Sequence, residues 1–232
     1  LLSDIPDVKF RMTNVVIYAF YAVNGSGTLT APASGTTLAD AVTKSRANNA
    51  KILLGINDGT GDGKTNFKNM ATTAAGRTNF IKSIMTVVRA NNLDGVDMDW
   101  EYPTTSDGTD ITFTALMKEL SDTLHRDGRY YLSAAITAGK YAGGARDAIK
   151  NEIYPYVDFF NIMAYGDFST TTPDRHHSDY TLATVCLNYW LNTRGMPAGK
   201  AILGIPAYGR PSGITQTNTV LTYKGILAQL GN

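Results

Sequence analysis

The chain has 232 residues and a formal net charge of +1, from 21 basic and 20 acidic side chains. That length fits one large domain or two small ones, and the balanced charge gives no electrostatic reason to bind nucleic acid or an anionic membrane. Hydrophobic residues at 43% and charged residues at 18% exclude disorder and collagen-like repeats, and no apolar run approaches the ~20 residues of a membrane-spanning helix. The single cysteine, Cys186, excludes an internal disulfide and a multi-cysteine zinc site; within LATVCLNYWL it reads as a small core residue. LLSDIPDVKF starts without Met or a signal-peptide pattern and reads as a chain already cut, which leaves localisation open.

In chain order, six short apolar or β-branched runs read as strands. They are NVVIYAF from Asn14, KILLGI from Lys51, GVDMDW from Gly95, YYLSAAI from Tyr130, FFNIMAY from Phe159 and AILGIP from Ala201. Between the second and third, FIKSIMTVVRANN places Phe80, Ile84, Val87 and Val88 on one helical stripe. Between the third and fourth, ITFTALMKELSDTLHRDG does the same with Phe113, Leu116, Leu120 and Leu124. Nearly continuous apolar strands alternating with helices predict an α/β fold with a parallel sheet covered by helices, either barrel or open sheet. No repeat, low-complexity tract or linker divides residues 1–232, which read as a single domain.

After KILLGI, the segment NDGTGDGKT imitates a phosphate loop, but Asp58 stands where that motif needs glycine, and a carboxylate there repels phosphate. It also imitates a calcium loop through Asp58, Asp62 and Gly63, without the downstream bidentate Glu. A polar surface turn is the expectation. His125 falls on an amphipathic helix, and His176 and His177 lie in a polar loop beside Asp174 and Asp179. Adjacent histidines seldom share one metal, so these two read as solvated loop residues and no metal site is expected.

The informative segment is Asp94-Gly95-Val96-Asp97-Met98-Asp99-Trp100-Glu101-Tyr102-Pro103. Strand side chains alternate between faces, so Asp97, Asp99 and Glu101 share one side and Val96, Met98 and Trp100 the other. If the apolar set packs under helices, three carboxylates crowd inside, where like charges are relieved by shared protons and shifted pKa values. Glu101 comes last, at the strand end where barrel enzymes place catalytic groups.

The pattern D-x-x-D-x-D-x-E, filled here as DGVDMDWE and followed by Tyr-Pro, resembles the signature of glycoside hydrolase family 18, the chitinases and their relatives. YAF (Tyr18 to Phe20), MAY (Met163 to Tyr165) and GIPAYGR (Gly204 to Arg210) resemble the family's second, sixth and seventh strand motifs. The resemblance implies a (β/α)8 TIM barrel of the chitinase type, with the first and last strands lying outside this chain. It implies hydrolysis of β-1,4 bonds between N-acetylglucosamine units, without a cofactor, by a substrate-assisted retaining route. Glu101 is then the general acid, Asp99 the partner of the acetamido group, Asp97 a sharer of Asp99's proton, and Tyr165 a donor to the acetamido oxygen. Phe20, Met163, Asp167, Tyr208 and Arg210 are expected to contact the sugar. The implied partner is an N-acetylglucosamine-containing glycan, and the implied location is secreted, cell-surface or periplasmic.

The match departs from the family at two places. The third strand usually ends Ser-x-Gly-Gly, whereas Gly55-Ile56-Asn57-Asp58 stands here, so the serine that would hydrogen-bond the inner Asp is missing; either Asn57 substitutes for it or the Asp97/Asp99 pair is held differently. After Met-x-Tyr the family expects Asp or Asn, whereas Gly166 intervenes before Asp167. Two other readings stay open: an endo-β-N-acetylglucosaminidase acting on N-glycan chitobiose cores, and a non-catalytic chitin-binding lectin, which typically lacks the acid that Glu101 supplies.

Overall fold

A computed structural model describes residues 2, 5–33, 37–59, 62–126, 128–169, 171–172, 176–213 and 220–230. The chain divides into two units, Leu1–Ala135 with Gly143–Phe160, and Ile136–Ala142 with Asn161–Asn232.

The first unit contains α1 (Asp7–Phe10), β1 (Val15–Val23), β2 (Leu29–Thr30), α2 (Leu38–Ala47), β3 (Lys51–Asn57) and α3 (Gly63–Thr72). It continues with α4 (Ala74–Ala90), β4 (Gly95–Asp99), α5 (Thr109–Leu124), most of β5 (Tyr131–Thr137), α6 (Gly144–Asp147) and the start of β6 (Phe159–Met163). Its strands lie in the order β2-β1-β3-β4-β5-β6. β1, β3, β4 and β5 pair in parallel, and β2 is a short antiparallel addition to β1 that the apolar pattern did not announce.

Burial explains the strand compositions. Ile52, Leu53, Leu54 and Ile56 of β3 are all buried, as expected of a parallel strand covered on both faces. Trp100 packs its ring 5.2 Å from Phe67 of α3 and edge-on to Phe113 of α5 at 5.9 Å. Val96 and Met98 are buried as well, so the apolar face of the acidic segment lies under helices. The α5 stripe of Phe113, Leu116, Leu120 and Leu124 is buried throughout. On α4 the buried stripe is Phe80, Ile81, Ile84, Met85 and Val88, while Val87 is only half-buried. At 100° per residue the arc centres near Ile84 and Val88, which puts Val87 on its margin.

Gly63 opens α3 rather than sitting in a surface turn, which corrects the expectation for NDGTGDGKT; Thr60 and Gly61 lie outside the described residues. A Cβ on Gly63 would stand 1.1 Å from the Asp58 carbonyl oxygen, so only glycine lets the helix start this close to β3. Gly63→Ala is expected to destabilise the chain by about 2–4 kcal/mol, because main chain, and not a flexible side chain, has to move. A denaturant melt with an unchanged midpoint would contradict that contact.

The second unit holds the end of β5, the rest of β6, and α7 (Tyr180–Leu187), which runs on into a π-helical turn at Asn188–Thr193. There β7 (Ala201–Leu203) follows β6, and the Gly204 N–H donates to the Ile162 carbonyl at 2.8 Å. β8 (Tyr208–Gly209) and β9 (Leu221–Thr222) form an antiparallel pair, followed by α8 (Tyr223–Leu230). Asp179 caps α7 by accepting the Leu182 N–H at 2.6 Å. Trp190 is fully buried and donates Nε1–H to the Thr137 carbonyl at 3.0 Å. Cys186 is a core residue as expected, and burial pushes its thiol up to about 11. Among the described residues no helix is long and apolar enough to cross a membrane. All six expected runs are strands, and the β8–β9 pair is an addition.

Candidate active site

The first unit gathers the acidic segment. Asp97 and Asp99 lie on β4, 3% and 6% exposed, and Glu101 follows just past the strand end, half-buried. The register pairs Asp97 with Ser133 of β5, and the Ser133 hydroxyl donates a short hydrogen bond to Asp97 Oδ1. Asp97 is thus held from the β5 side, which answers the missing third-strand serine. Asn57, the last residue of β3, donates Nδ2–H to the Asp99 carbonyl at 3.0 Å and reaches Glu101 Oε1 at 3.4 Å.

Burial is the main force on Asp99, followed by the charges of Glu101 and Asp97; together they push its carboxyl up to about 8. Asp99 is therefore protonated at neutral pH and hydrogen-bonds the Glu101 side chain. Its other oxygen, Oδ1, is buried with no partner. Such an arrangement offers a proton beside Glu101 and an idle acceptor next to it. Phe20, at 41% exposure, is not core: its ring covers Gly55 of β3, where a Cβ would meet it at 3.1 Å. Tyr102 is also exposed.

The second unit holds the other expected residues. Tyr165 and Tyr208 meet edge to face with centroids 6.1 Å apart, and the Arg210 guanidinium lies over the rings of Phe168 at 5.1 Å and Tyr208 at 5.6 Å. A cleft of about 780 Å3 is lined there by His177, Ile205, Tyr208, Arg210, Tyr223 and Ile226. Met163, at the end of β6, is half-buried. Gly166 adopts φ +81°, a left-handed turn that glycine takes freely. Beyond it the Asp167 carboxylate accepts a short bond from Lys140 and one from the Tyr141 hydroxyl at 2.6 Å.

His177 is buried, against the expectation of a solvated loop residue; His176 is exposed and stacks on it, and Asp174 lies outside the described residues. The Gly166 N–H donates to His177 Nδ1 at 3.2 Å, which leaves the proton on Nε2 to bond the Tyr208 carbonyl at 3.1 Å. His177 thereby joins the turn after β6 to β8. Burial, more than its neighbours' charges, lowers its pKa from 6.5. The stability it gives is complete above pH 6.5 and is lost as pH falls toward its lower folded value. His177→Gln is expected to flatten that acid-side loss in melts recorded from pH 7.5 to 5; an unaltered slope would contradict the bracket.

His125 is the C-cap of α5 and bonds Ser121 and Asp158, at 2.9 and 3.0 Å. Among the described residues no three His, Cys, Asp or Glu side chains are grouped to hold a metal.

The model of the glycosyl hydrolases family 18 matches residues 4–230, nearly the whole chain. The chain belongs to that family. The human chitinase-3-like protein 2 is 27% identical over 230 residues, covering 89% of this chain and 57% of its own. A probable endochitinase of Caenorhabditis elegans is 35% identical over 164 residues, covering 62% of this chain and 26% of its own. The chain therefore spans little more than half of the one relative and about a quarter of the other. The solved structure of a mutant family 18 chitinase from Cycas revoluta, in complex with (GlcNAc)4, superposes with a TM-score of 0.82 at 23% identity, covering 99% of this chain and 77% of that one. That likeness shows the fold, the chitinase-type (β/α)8 barrel class that the sequence implied.

Within this family 18 chain, sequence reasoning missed Ser133, the burial of Asp58, and the Lys140–Tyr141 clasp on Asp167. Ser133 had a signal: it is a polar residue in the otherwise apolar run YYLSAAI, in register with Asp97.

Proposed function

We propose that this chain hydrolyses β-1,4 bonds between N-acetylglucosamine units of chitin or chitooligosaccharides, with residues 1–232 belonging to one catalytic domain. The observation that carries the reading is the hydrogen-bonded pair of Asp99 and Glu101 at the C-terminal end of β4, beside an idle Asp99 oxygen.

In this reading Glu101 gives its proton to the leaving glycosidic oxygen as the C1–O bond breaks. The carbonyl oxygen of the sugar's own 2-acetamido group attacks C1, forming an oxazolinium ion, so no second carboxylate is needed as nucleophile. Asp99 Oδ1 accepts the acetamido N–H and stabilises the developing positive charge. The Asp99 proton moves toward Asp97, which Ser133 holds ready. Water then attacks C1 with Glu101, now a carboxylate, taking its proton, and the starting state returns. Tyr165 is assigned the donor bond to the acetamido oxygen, and Phe20, Met163, Asp167, Tyr208 and Arg210 contacts to the sugar. The place of action is outside the cytoplasm, where such glycans lie.

Two displacements at C1 preserve configuration. Proton NMR of chitopentaose during the first turnovers is expected to show the β-anomer at the new reducing end. A new α-anomer forming first would overturn the mechanism.

A further inference from the structure

The loop after β5 belongs to the second unit, in the stretch Ile136–Ala142, and it is pinned at several points. Gly139 turns there at φ +79°, and a Cβ on it would stand 2.5 Å from the Tyr189 ring and 2.8 Å from Trp190 Nε1. The loop therefore lies directly on the buried indole, which also bonds the Thr137 carbonyl just before it. The Lys140 ammonium donates to Asp167 Oδ2 and lies over the Tyr141 ring, 4.9 Å from its centroid. The Tyr141 hydroxyl donates to Asp167 Oδ1 at 2.6 Å. Asp167 is itself fixed, its main-chain N–H donating to the His177 carbonyl at 3.2 Å. Yet Tyr141 is 64% exposed.

Holding an exposed side chain in one orientation takes away rotamer freedom, and most of this ring lacks the burial that usually offsets the loss. The result is a flat aromatic surface, tied at its hydroxyl, steadied by a cation, and presented to water. Lys140 is neutralised by Asp167, so the surface suits an uncharged ligand with an apolar face, as the C–H face of a pyranose ring is. β5 and β6 are neighbours, and the loop with Tyr141 and the turn with Asp167 follow their C-terminal ends, where barrel enzymes carry substrate contacts. Resting on the functional reading above, we propose that Tyr141 is a further substrate-binding residue, a platform on which an outer sugar of the chitin oligomer stacks. Asp167 stands two residues past Tyr165, to which the acetamido contact at the cleaved bond is assigned. Tyr141, held beyond Asp167, thus serves a neighbouring sugar and not the one that reacts.

A stacking contact away from C1 is made alike in the ground and transition states, so its loss appears in KM. Tyr141→Ala is expected to raise KM for chitopentaose about 5- to 20-fold while kcat stays within about threefold. Tyr141→Trp keeps an aromatic face, and its KM is expected within about threefold of the parent. Tyr141→Phe keeps the ring but not the bond to Asp167, and a rise of about two- to fourfold is expected. If the chain binds without cleaving, the same fold-changes are read in Kd. A direct readout uses ring signals of 13C-labelled tyrosine in Glu101→Gln, where the one missing from Glu101→Gln with Tyr141→Phe identifies Tyr141 among the 13 tyrosines. That signal is expected to shift on addition of chitopentaose. A parent that neither cleaves nor binds chitopentaose overturns the functional reading, and this proposal falls with it. A parent that does either, with KM or Kd of Tyr141→Ala inside about twofold of its own or an unmoved Tyr141 signal, overturns the proposal alone.

Discussion

Glu101→Gln is expected to lower the rate of chitopentaose cleavage by about 10²- to 10⁴-fold, the range that one general acid supplies. Glutamine fills the same volume and can still accept from Asn57 Nδ2, which lies 3.4 Å from Glu101 Oε1. It cannot deliver a proton to a glycosidic oxygen, and an unprotonated sugar alkoxide is a poor leaving group. Because Glu101 is half-buried, its replacement by an isostere leaves the core of Trp100, Phe67 and Phe113 intact. The variant should therefore melt close to the parent while binding chitopentaose with similar affinity. Cleavage and binding measured on the same preparation check this. A variant retaining more than about a tenth of the parent rate would remove Glu101 from the acid role.

Asp99→Asn is expected to act on stability and rate in opposite directions. The folded chain holds the Asp99 proton up to about 8, whereas an unfolded carboxyl releases it near 3.8. Stability linked to this group is thus fully present below pH ~4 and is lost as pH rises from there through about 8. Asparagine does not ionise, so the variant should match the parent near pH 4 and exceed it at pH 8 by on the order of 2–5 kcal/mol. The rate should nevertheless drop about 10- to 100-fold, since the amide can neither pass a proton toward Asp97 nor carry charge opposite the oxazolinium ion. Urea melts at pH 4 and pH 8 are the test. A parent whose stability rises across that window would contradict a protonated, buried Asp99.

How far the sequence went follows from which forces it encodes locally. The six strands and the buried stripe of α5 were legible because apolar period and burial are the same fact seen twice. The acidic strand was legible because period 2 separates Asp97, Asp99 and Glu101 from Val96, Met98 and Trp100. Ser133 escaped because its value lies in register across the sheet, 36 residues from Asp97. His177 escaped for a similar reason: the loop around it is polar, and only the Gly166 N–H and Tyr208 carbonyl make a buried imidazole affordable. Asp58 read as a surface turn because Gly-rich polar stretches usually are one. What overrode that was a helix beginning at Gly63, directly on the Asp58 carbonyl.

The claim most exposed to a single experiment is that the substrate's own acetamide does the work of a nucleophile beside Glu101. Product masses from chitopentaose and from its fully de-N-acetylated counterpart, incubated side by side with the chain, test it directly. Shorter N-acetylglucosamine oligomers from the first and none from the second are the result expected. Cleavage of both at similar rates, or of neither, would contradict it.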